Sequence, residues 1–442
     1  MKKILIIGAG RSATTLINYL LNESVVNDWL ITIADYNLIL AEKAANNHKN
    51  ANPIQFDVTN NVEREKQISK SNIVVSMLPA AMHILVAKDC VKFKKNLVTA
   101  SYVSKEIKAL NNLAIDSGII LLNEIGLDPG IDHLSAMKVI DKIKDNGHTL
   151  TSFKSFCGGL IHADYDNNPW NYKFTWNPRN VILAGQGTAQ YIVNNQYKYI
   201  PYNQLFKRTE TLNILNAGEF EGYANRDSLS YRKIYGLEDV STMFRGTLRK
   251  KGFCKAWDLF IQLGMTSDDY KMINSKSMKF SDFTNLFLPQ NDNLSLEENF
   301  CDHLSISIDS EDFKKIKWLG LFSDTIIGLD NLTPAQFLQQ ITESKLSLEN
   351  NDKDMVVMQH QFQYLLNDTA NILHSSLVVF GDNQINTAMA KTVGLPVAIA
   401  VKLILNGSIN SFGVKIPTSK DIYFPVLSEL EDNGIIFVEE LV

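Results

Sequence analysis

Several things are scarce in this chain. Cysteine occurs four times, at Cys90, Cys157, Cys254 and Cys301, with no C-x-x-C pair and no Cys/His spacing. That pattern excludes a zinc ribbon and a disulfide-stapled scaffold, so no metal is expected. Free thiols in a reducing, cytoplasmic setting are the simplest reading. No run approaches the ~18 apolar residues of a membrane span. The most apolar late region, Val393 to Leu405, is interrupted by Pro396 and Lys402. Met1-Lys2-Lys3 ahead of Ile4 to Ile7 imitates the start of a signal peptide. The apolar run is too short, however, and Gly8-Ala9-Gly10-Arg11 cuts it off. A basic excess is missing too: 43 Lys and Arg stand against 48 Asp and Glu, a net charge of −5. No electrostatic footprint for nucleic acid or for an anionic membrane follows. No internal repeat is visible. What remains is 45% hydrophobic and 21% charged, the balance of a soluble globular protein with large buried cores. The 442 residues suggest roughly three domains at ~150 residues each.

The first third has the pattern of a dinucleotide fold. Lys3 to Ile7 is a β-branched run, read as a buried parallel strand. Gly8-Ala9-Gly10-Arg11-Ser12-Ala13 follows at once, a G-x-G-x-x-A motif. The first Gly allows the tight turn, the second lets backbone approach a pyrophosphate, and the small third residue lets helix lie close to strand. Leu16, Ile17, Leu20 and Leu21 continue with a helical period, and the helix amino terminus offers free N–H groups to phosphate. A second strand, Leu30 to Ala34, ends in Asp35, about 25 residues after Gly10 and near the ~20 expected for the acid that reads the adenosine ribose. Asp35 would accept bonds from ribose hydroxyls and repel a 2′-phosphate, which favours NAD(H); Arg11 in the loop could reach a phosphate instead. A second role for Asp35 is to cap a helix of Asn37 to Asn46. Further strands are read at Pro53–Val58, Asn72–Leu78, Asn96–Ala100 and Ile119–Leu122. Helices between them give an α/β, doubly wound parallel sheet of order 3-2-1-4-5-6. Asp57 ends strand three, where the adenine edge could reach it. Ser104 is placed to cap the helix that begins before Ile107.

After strand six comes Asn123 to His133, NEIGLDPGIDH. Glu124, Asp128, Asp132 and His133 crowd one Gly/Pro-rich turn, and ligands of open α/β sheets sit at such strand ends. The competing reading is a plain strand-to-helix turn with Asp128 or Asp132 as cap. Pro79, His83, Ser101, Tyr102 and Asp128 would line the crevice beside a nicotinamide. His83 reads equally as a satisfied structural histidine.

The middle changes texture. Phe153 to Cys157 alternates like a half-buried strand, and Gly158-Gly159-Leu160 reads as a turn. Asp164 to Trp176 is an aromatic loop. Thr242 to Gly252 reads as a strand with Arg245, Thr247 and Arg249 at alternate positions. Beside Arg226 these form an anion receptor, since Arg grips a carboxylate with two bonds. The alternative is a solvated outer face. Residues 255–349 read as a helical insertion without chemistry. Asp354 to Tyr364 is a strand, Thr387 to Ile404 a helix interrupted at Gly394-Leu395-Pro396, Ser411 to Val414 a loop, Ile422 to Glu431 a helix and Ile435 to Val438 a strand.

Several stretches together resemble the glutamate-forming saccharopine dehydrogenase family. They are SMLPAAMH at Ser76 to His83, VTASYVS at Val98 to Ser104, NEIGLDPGIDH, FCGGL at Phe156 to Leu160 and NPWNYKFTW at Asn168 to Trp176. FEGYANRDSLSYRKIYG at Phe220 to Gly236, MFRGTLRKKGFC at Met243 to Cys254, MVVMQHQF at Met355 to Phe362 and AKTVGLPVAIA at Ala390 to Ala400 complete the set. The resemblance implies a Rossmann domain (1–128 and 415–442), an α/β substrate and dimerisation domain (129–254 and 350–414) and a helical insertion (255–349). It implies a homodimer acting on a small amino-acid substrate: saccharopine, interconverted with glutamate and 2-aminoadipate 6-semialdehyde using NADP(H). Ser101, Tyr102, Asp128 and Arg226 would contact substrate, with Thr247 and Arg249 nearby. Gly10 to Ser12, Ala34 to Tyr36, Asp57 and Val58 would contact cofactor, together with Gly8, Ala13, Leu78 and Pro79. Tyr102, Asp128 and His83 are the candidates for proton transfer. The family's NADP users carry Arg where Asp35 or Tyr36 stands, so NAD(H) stays open. Two rival readings remain: a reductase of another carboxylated imine, such as a carboxylated polyamine precursor, and a non-catalytic NAD-binding protein.

Overall fold

The computed structural model describes residues 1–184 and 186–442. They form two compact units, Met1–Leu150 with Tyr364–Val442, and Thr151–Gln363.

The first unit is built on a parallel sheet. Its strands are β1 (Lys2–Ile7), β2 (Trp29–Asp35), β3 (Ala51–Gln55), β4 (Ile73–Ser76), β5 (Asn96–Val98) and β6 (Ile120–Leu122). They lie in the order 3-2-1-4-5-6, with every adjacent pair parallel. That is the doubly wound dinucleotide-binding order expected from the sequence. A seventh strand, Gly413–Lys415, adds in parallel to β6; Ser411 to Val414 was expected to be loop. The central strands are buried on both faces: Ile73, Val74, Val75 and Ser76 have almost no exposure. Buried apolar side chains of β1, β4, β5 and β6 share one core with Val86, Ala87 and Ala114 from the covering helices, and their burial supplies the main stabilising term.

The strand ends shift from expectation for physical reasons. β3 runs Ala51–Gln55 rather than Pro53–Val58. It is an edge strand, and an edge tolerates Pro53 inside it. The expected helix Ser104–Asp116 divides into Lys105–Lys108 and Asn111–Asp116, and Ser104 caps the first by accepting from the Ile107 N–H at 3.2 Å. The Ala388–Leu405 helix is not interrupted: Pro396 lies within it. It is the one helix among the described residues long and apolar enough to cross a membrane, and 78% of it is buried inside the protein. Gly394 fixes its place, because a Cβ there would lie 2.9 Å from the Leu16 nitrogen and 3.2 Å from the Ser12 oxygen. Helix therefore rests on the start of the dinucleotide helix. Residues 129–150 and 364–414, expected in the second domain, accordingly belong to the first compact unit.

In the second unit β7 (Thr149–Ile161), β8 (Ala189–Val193), β9 (Gln196–Ile200), β10 (Thr209–Asn213), β11 (Glu219–Ala224), β12 (Thr242–Lys250) and β13 (Asp354–Leu366) supply the strands. The main run is β10-β11-β12-β7-β13, with β8 and β9 off β12. Gly158-Gly159 is not a turn; it lies inside β7. A Cβ on Gly158 would stand 2.7 Å from the Leu248 carbonyl oxygen of β12, so the glycine serves a close backbone approach. Residues 255–349 hold helices Leu296–His303, Glu311–Leu319 and Pro334–Leu346, along with shorter ones.

Candidate active site

The dinucleotide end is shaped by what its glycines avoid. Gly8 has φ +104° and its N–H donates to the Ala34 carbonyl at 2.8 Å. A Cβ on Gly8 would meet the Met77 carbonyl oxygen at 2.6 Å, so only glycine fits. Gly10 differs: nothing lies within 4 Å of where its Cβ would be. Among the described residues no group fills that space, the kind of opening through which backbone approaches a pyrophosphate in dinucleotide folds. Ala13 is buried beneath, its N–H on the Gly10 carbonyl at 2.9 Å. Arg11–Ala13 forms a short 3-10 turn leading into α1 (Thr14–Asn27), and neither start has a side-chain cap. The neighbouring Leu38–Ala45 and Asn61–Lys70 helices are capped by Asn37 and Asn60. An uncapped amino terminus at the glycine loop keeps its N–H groups for an anion.

Asp35 does not cap the following helix. One carboxylate oxygen accepts from the Ala9 N–H at 2.8 Å and the other from the Asn37 N–H at 2.9 Å. Asp57 accepts from the Thr59 amide and hydroxyl at 2.8 and 2.7 Å, bonds that hold its carboxyl below the ordinary range. Val58 is buried, Leu78 half-buried, and Arg11, Tyr36 and Pro79 are exposed.

At the ends of β4 and β5 the structure assembles a chain of hydroxyls about an imidazole. The His83 Nδ1 lies 2.8 Å from Ser76 Oγ, and its Nε2 lies 2.7 Å from Ser101 Oγ. His83 is buried, and burial pulls its pKa down to about 4. It is therefore neutral near pH 7, with one ring nitrogen donating and the other accepting. Ser76 was not singled out from the sequence, although it opens the SMLPAAMH segment; a buried polar residue closing an apolar strand was the available signal. Tyr102 is exposed, and Asp128 is half-buried in the turn after β6.

That turn uses most of its charges on itself. Glu124, at φ +55°, accepts from the Val103 N–H at 3.0 Å and pairs with His133 Nε2 at 3.0 Å. The other His133 nitrogen is 3.6 Å from Asp132. Asp132 accepts from the Gly130 N–H at 2.6 Å, while the Ile131–Asp145 helix has Gly130 at its N-cap without a side-chain cap. Glu124, Asp132 and His133 thus tie the turn together, and Asp128 is the least buried of its ionisable groups.

In the second unit Arg245, Thr247 and Arg249 do alternate along β12, and their face is not solvated. Arg245 is 5% exposed and Arg249 2%. Arg245 sits over the Tyr231 ring. Arg249 donates to the Leu248 carbonyl at 2.9 Å, and its Nε has no partner. The rings of Tyr172, Tyr223 and Phe253 lie 5.3, 5.8 and 5.3 Å from its guanidinium carbon. The Tyr172 hydroxyl beside it is also buried without a hydrogen bond. Among the described residues no carboxylate pairs with Arg249. Burial pushes the Tyr223 phenol up to about 12, so neither tyrosine supplies an anion near pH 7. Arg226 is exposed at φ +40°, with its side chain free of any ion pair among the described residues.

The first unit is a nucleotide-binding α/β domain with an open glycine loop, an arrangement used by nicotinamide-dependent oxidoreductases. Residues 4–122 match the family model described as the saccharopine dehydrogenase NADP binding domain, and residues 126–435 match the saccharopine dehydrogenase C-terminal domain. The chain belongs to the saccharopine dehydrogenase family. It is 34% identical over 456 residues to saccharopine dehydrogenase [NADP(+), L-glutamate-forming] of Saccharomyces cerevisiae, covering 99% of each chain. It is 34% identical over 465 residues to the mitochondrial alpha-aminoadipic semialdehyde synthase of Bos taurus, covering 99% of this chain and 48% of that protein. The chain thus spans about half the length of the mammalian relatives it matches. The solved structure of the apo, histidine-tagged saccharopine dehydrogenase (L-Glu forming) from Saccharomyces cerevisiae superposes with a TM-score of 0.89 at 34% identity, covering 100% of both chains.

Proposed function

We propose that this chain interconverts saccharopine with glutamate and 2-aminoadipate 6-semialdehyde, in a dehydrogenation at a C–N bond. A nicotinamide ring, when bound, would supply the acceptor for the hydride; the Saccharomyces cerevisiae relative is named for NADP(+). Removing that hydride and the amine proton leaves an imine in the substrate. Water adds to its carbon, and loss of the amine releases glutamate and the aldehyde. The chain's own tasks are to bind, to orient and to move protons.

The glycine loop and the uncapped start of α1 hold the pyrophosphate. Asp128 and Tyr102, at the ends of the last strands, are the groups for proton transfer. His83 is neutral and lies behind Ser101, so it acts through the Ser101 hydroxyl, fixing where that hydroxyl points. Arg226, Thr247 and Arg249 serve the carboxylates of an amino-acid substrate. The observation that carries the reading is the buried guanidinium of Arg249, whose Nε has no hydrogen-bond partner and which no carboxylate among the described residues meets, a charge whose burial is costly until an acid meets it. The test is steady-state oxidation of saccharopine, followed by nicotinamide absorbance, for the native chain and for Arg226→Ala. Turnover that falls at least roughly tenfold in the variant, with dinucleotide affinity kept, supports the assignment. An inactive native chain, or a variant with native kinetics, removes it.

A further inference from the structure

We propose that Asp35 makes the adenosine-ribose subsite of this chain accept NAD(H) at least as well as NADP(H), in contrast to the NADP(+) named for the fungal relatives. The inference rests on the dinucleotide reading of the glycine loop and adds to it the identity of the cofactor.

Asp35 closes β2 at the carboxyl edge of the sheet, where the adenosine ribose of a dinucleotide lies. It is not a mobile surface acid. One oxygen is pinned by the Ala9 N–H of the glycine loop at 2.8 Å and the other by the Asn37 N–H at 2.9 Å. Each oxygen keeps a second acceptor site, so the fixed carboxylate can take hydrogen bonds from vicinal ribose hydroxyls. The same carboxylate cannot turn away from a 2′-phosphate, because turning would break both backbone bonds.

The rest of the edge does not compensate. The residues that follow β2 are Tyr36 and Asn37, and Asn37 is occupied in capping the Leu38–Ala45 helix. The segment after β3, Phe56 to Asn60, brings a second acid, Asp57, and no cation. In the loops after β1, β2 and β3, Arg11 is the lone cation, set against two carboxylates. A doubly charged phosphate therefore enters a site that is net negative, whereas a free hydroxyl meets acceptors already in position.

The experiment is equilibrium binding of NADH and NADPH to the full chain, read by cofactor fluorescence, for the native protein, Asp35→Ser and Asp35→Asn. Both variants lose the charge, and the Asn variant keeps an oxygen for the Ala9 N–H. The expected result is native affinity for NADH equal to or tighter than for NADPH, and a shift of the ratio toward NADPH by roughly tenfold or more in either variant. Native protein that binds NADPH roughly tenfold more tightly than NADH, or variants that leave the ratio unmoved, overturn the assignment. Failure of the native chain to bind either dinucleotide overturns the dinucleotide reading itself, and the assignment with it.

Discussion

Two buried arginines are treated in opposite ways. Arg64, in the first unit, is 5% exposed; its Nε meets Asp89 at 2.7 Å, and its two Nη atoms donate to the Val58 carbonyl at 2.6 Å and to Asn61 at 2.9 Å. Every face of that guanidinium is answered by the chain. Arg249, in the second unit, is as deeply buried and is answered by one carbonyl and three ring faces. Lys173, another buried cation of that unit, is paired with Asp352 at 2.7 Å, so the second unit does not lack carboxylates for its cations. A buried charge without a counter-charge is costly. The difference teaches that Arg64 serves the fold, while Arg249 keeps a valence that folding alone does not use.

The comparison breaks first on stability. Arg64→Met should destabilise the first unit by about 3–5 kcal/mol, since it leaves Asp89 buried without its cation. Arg64→Met combined with Asp89→Leu should recover most of that loss, as measured by urea unfolding. If the double variant is as unstable as the single one, the loss does not come from leaving Asp89 buried without its cation. Arg249→Met should behave in the opposite sense. Stability should stay level or rise, because an uncompensated charge has been removed. The specificity constant for saccharopine should fall roughly a hundredfold, about 3 kcal/mol of transition-state binding, with dinucleotide affinity unchanged. A variant that unfolds like Arg64→Met, with activity proportional to its folded fraction, would make Arg249 a structural residue.

How far the sequence could lead here depended on range. The parallel sheet was legible because β-branched runs alternate with Gly and Pro punctuation, and strand order then follows from the winding rule. The glycine loop was legible because each position has a local reason, and Gly8 and Gly10 turn out to serve two different ones. Short-range chemistry was read less well where a second chain segment decides it. Gly158 looks like a turn until Leu248 comes against it. The four ionisable groups of Asn123 to His133 look like a catalytic cluster, yet three are spent on one another and on backbone. The strands Ala189–Val193, Thr209–Asn213 and Thr369–Phe380 carry no clear two-residue period, and Gln196–Ile200, which does alternate Gln and Lys with Tyr, is only five residues long; none was read. The burial of Arg249 was not legible at all: its walls come from Tyr172, Tyr223 and Phe253, which only the folded sheet and helix bring together.

The same contrast between answered and unanswered groups sharpens at His83, where the expected effect is smaller. Its two nitrogens are satisfied by serine hydroxyls, but only in the neutral form can one nitrogen accept while the other donates. Its pKa falls from 6.5 in the unfolded chain to about 4 in the folded one. Between those values the unfolded state binds the proton and the folded state does not, so stability rises with pH across that window and is lost as pH drops through it. Above pH 6.5 the group contributes no slope. At pH 5.5 the loss attributable to His83 should be roughly 1 kcal/mol. His83→Gln keeps a donor and an acceptor without the titration. The native chain should therefore lose about 1 kcal/mol more than the variant between pH 7 and pH 5.5, with urea midpoints as the measure. Parallel losses would mean that folding leaves the His83 pKa at its ordinary value, so that the imidazole takes up its proton across the same window in both states and burial does not hold it neutral.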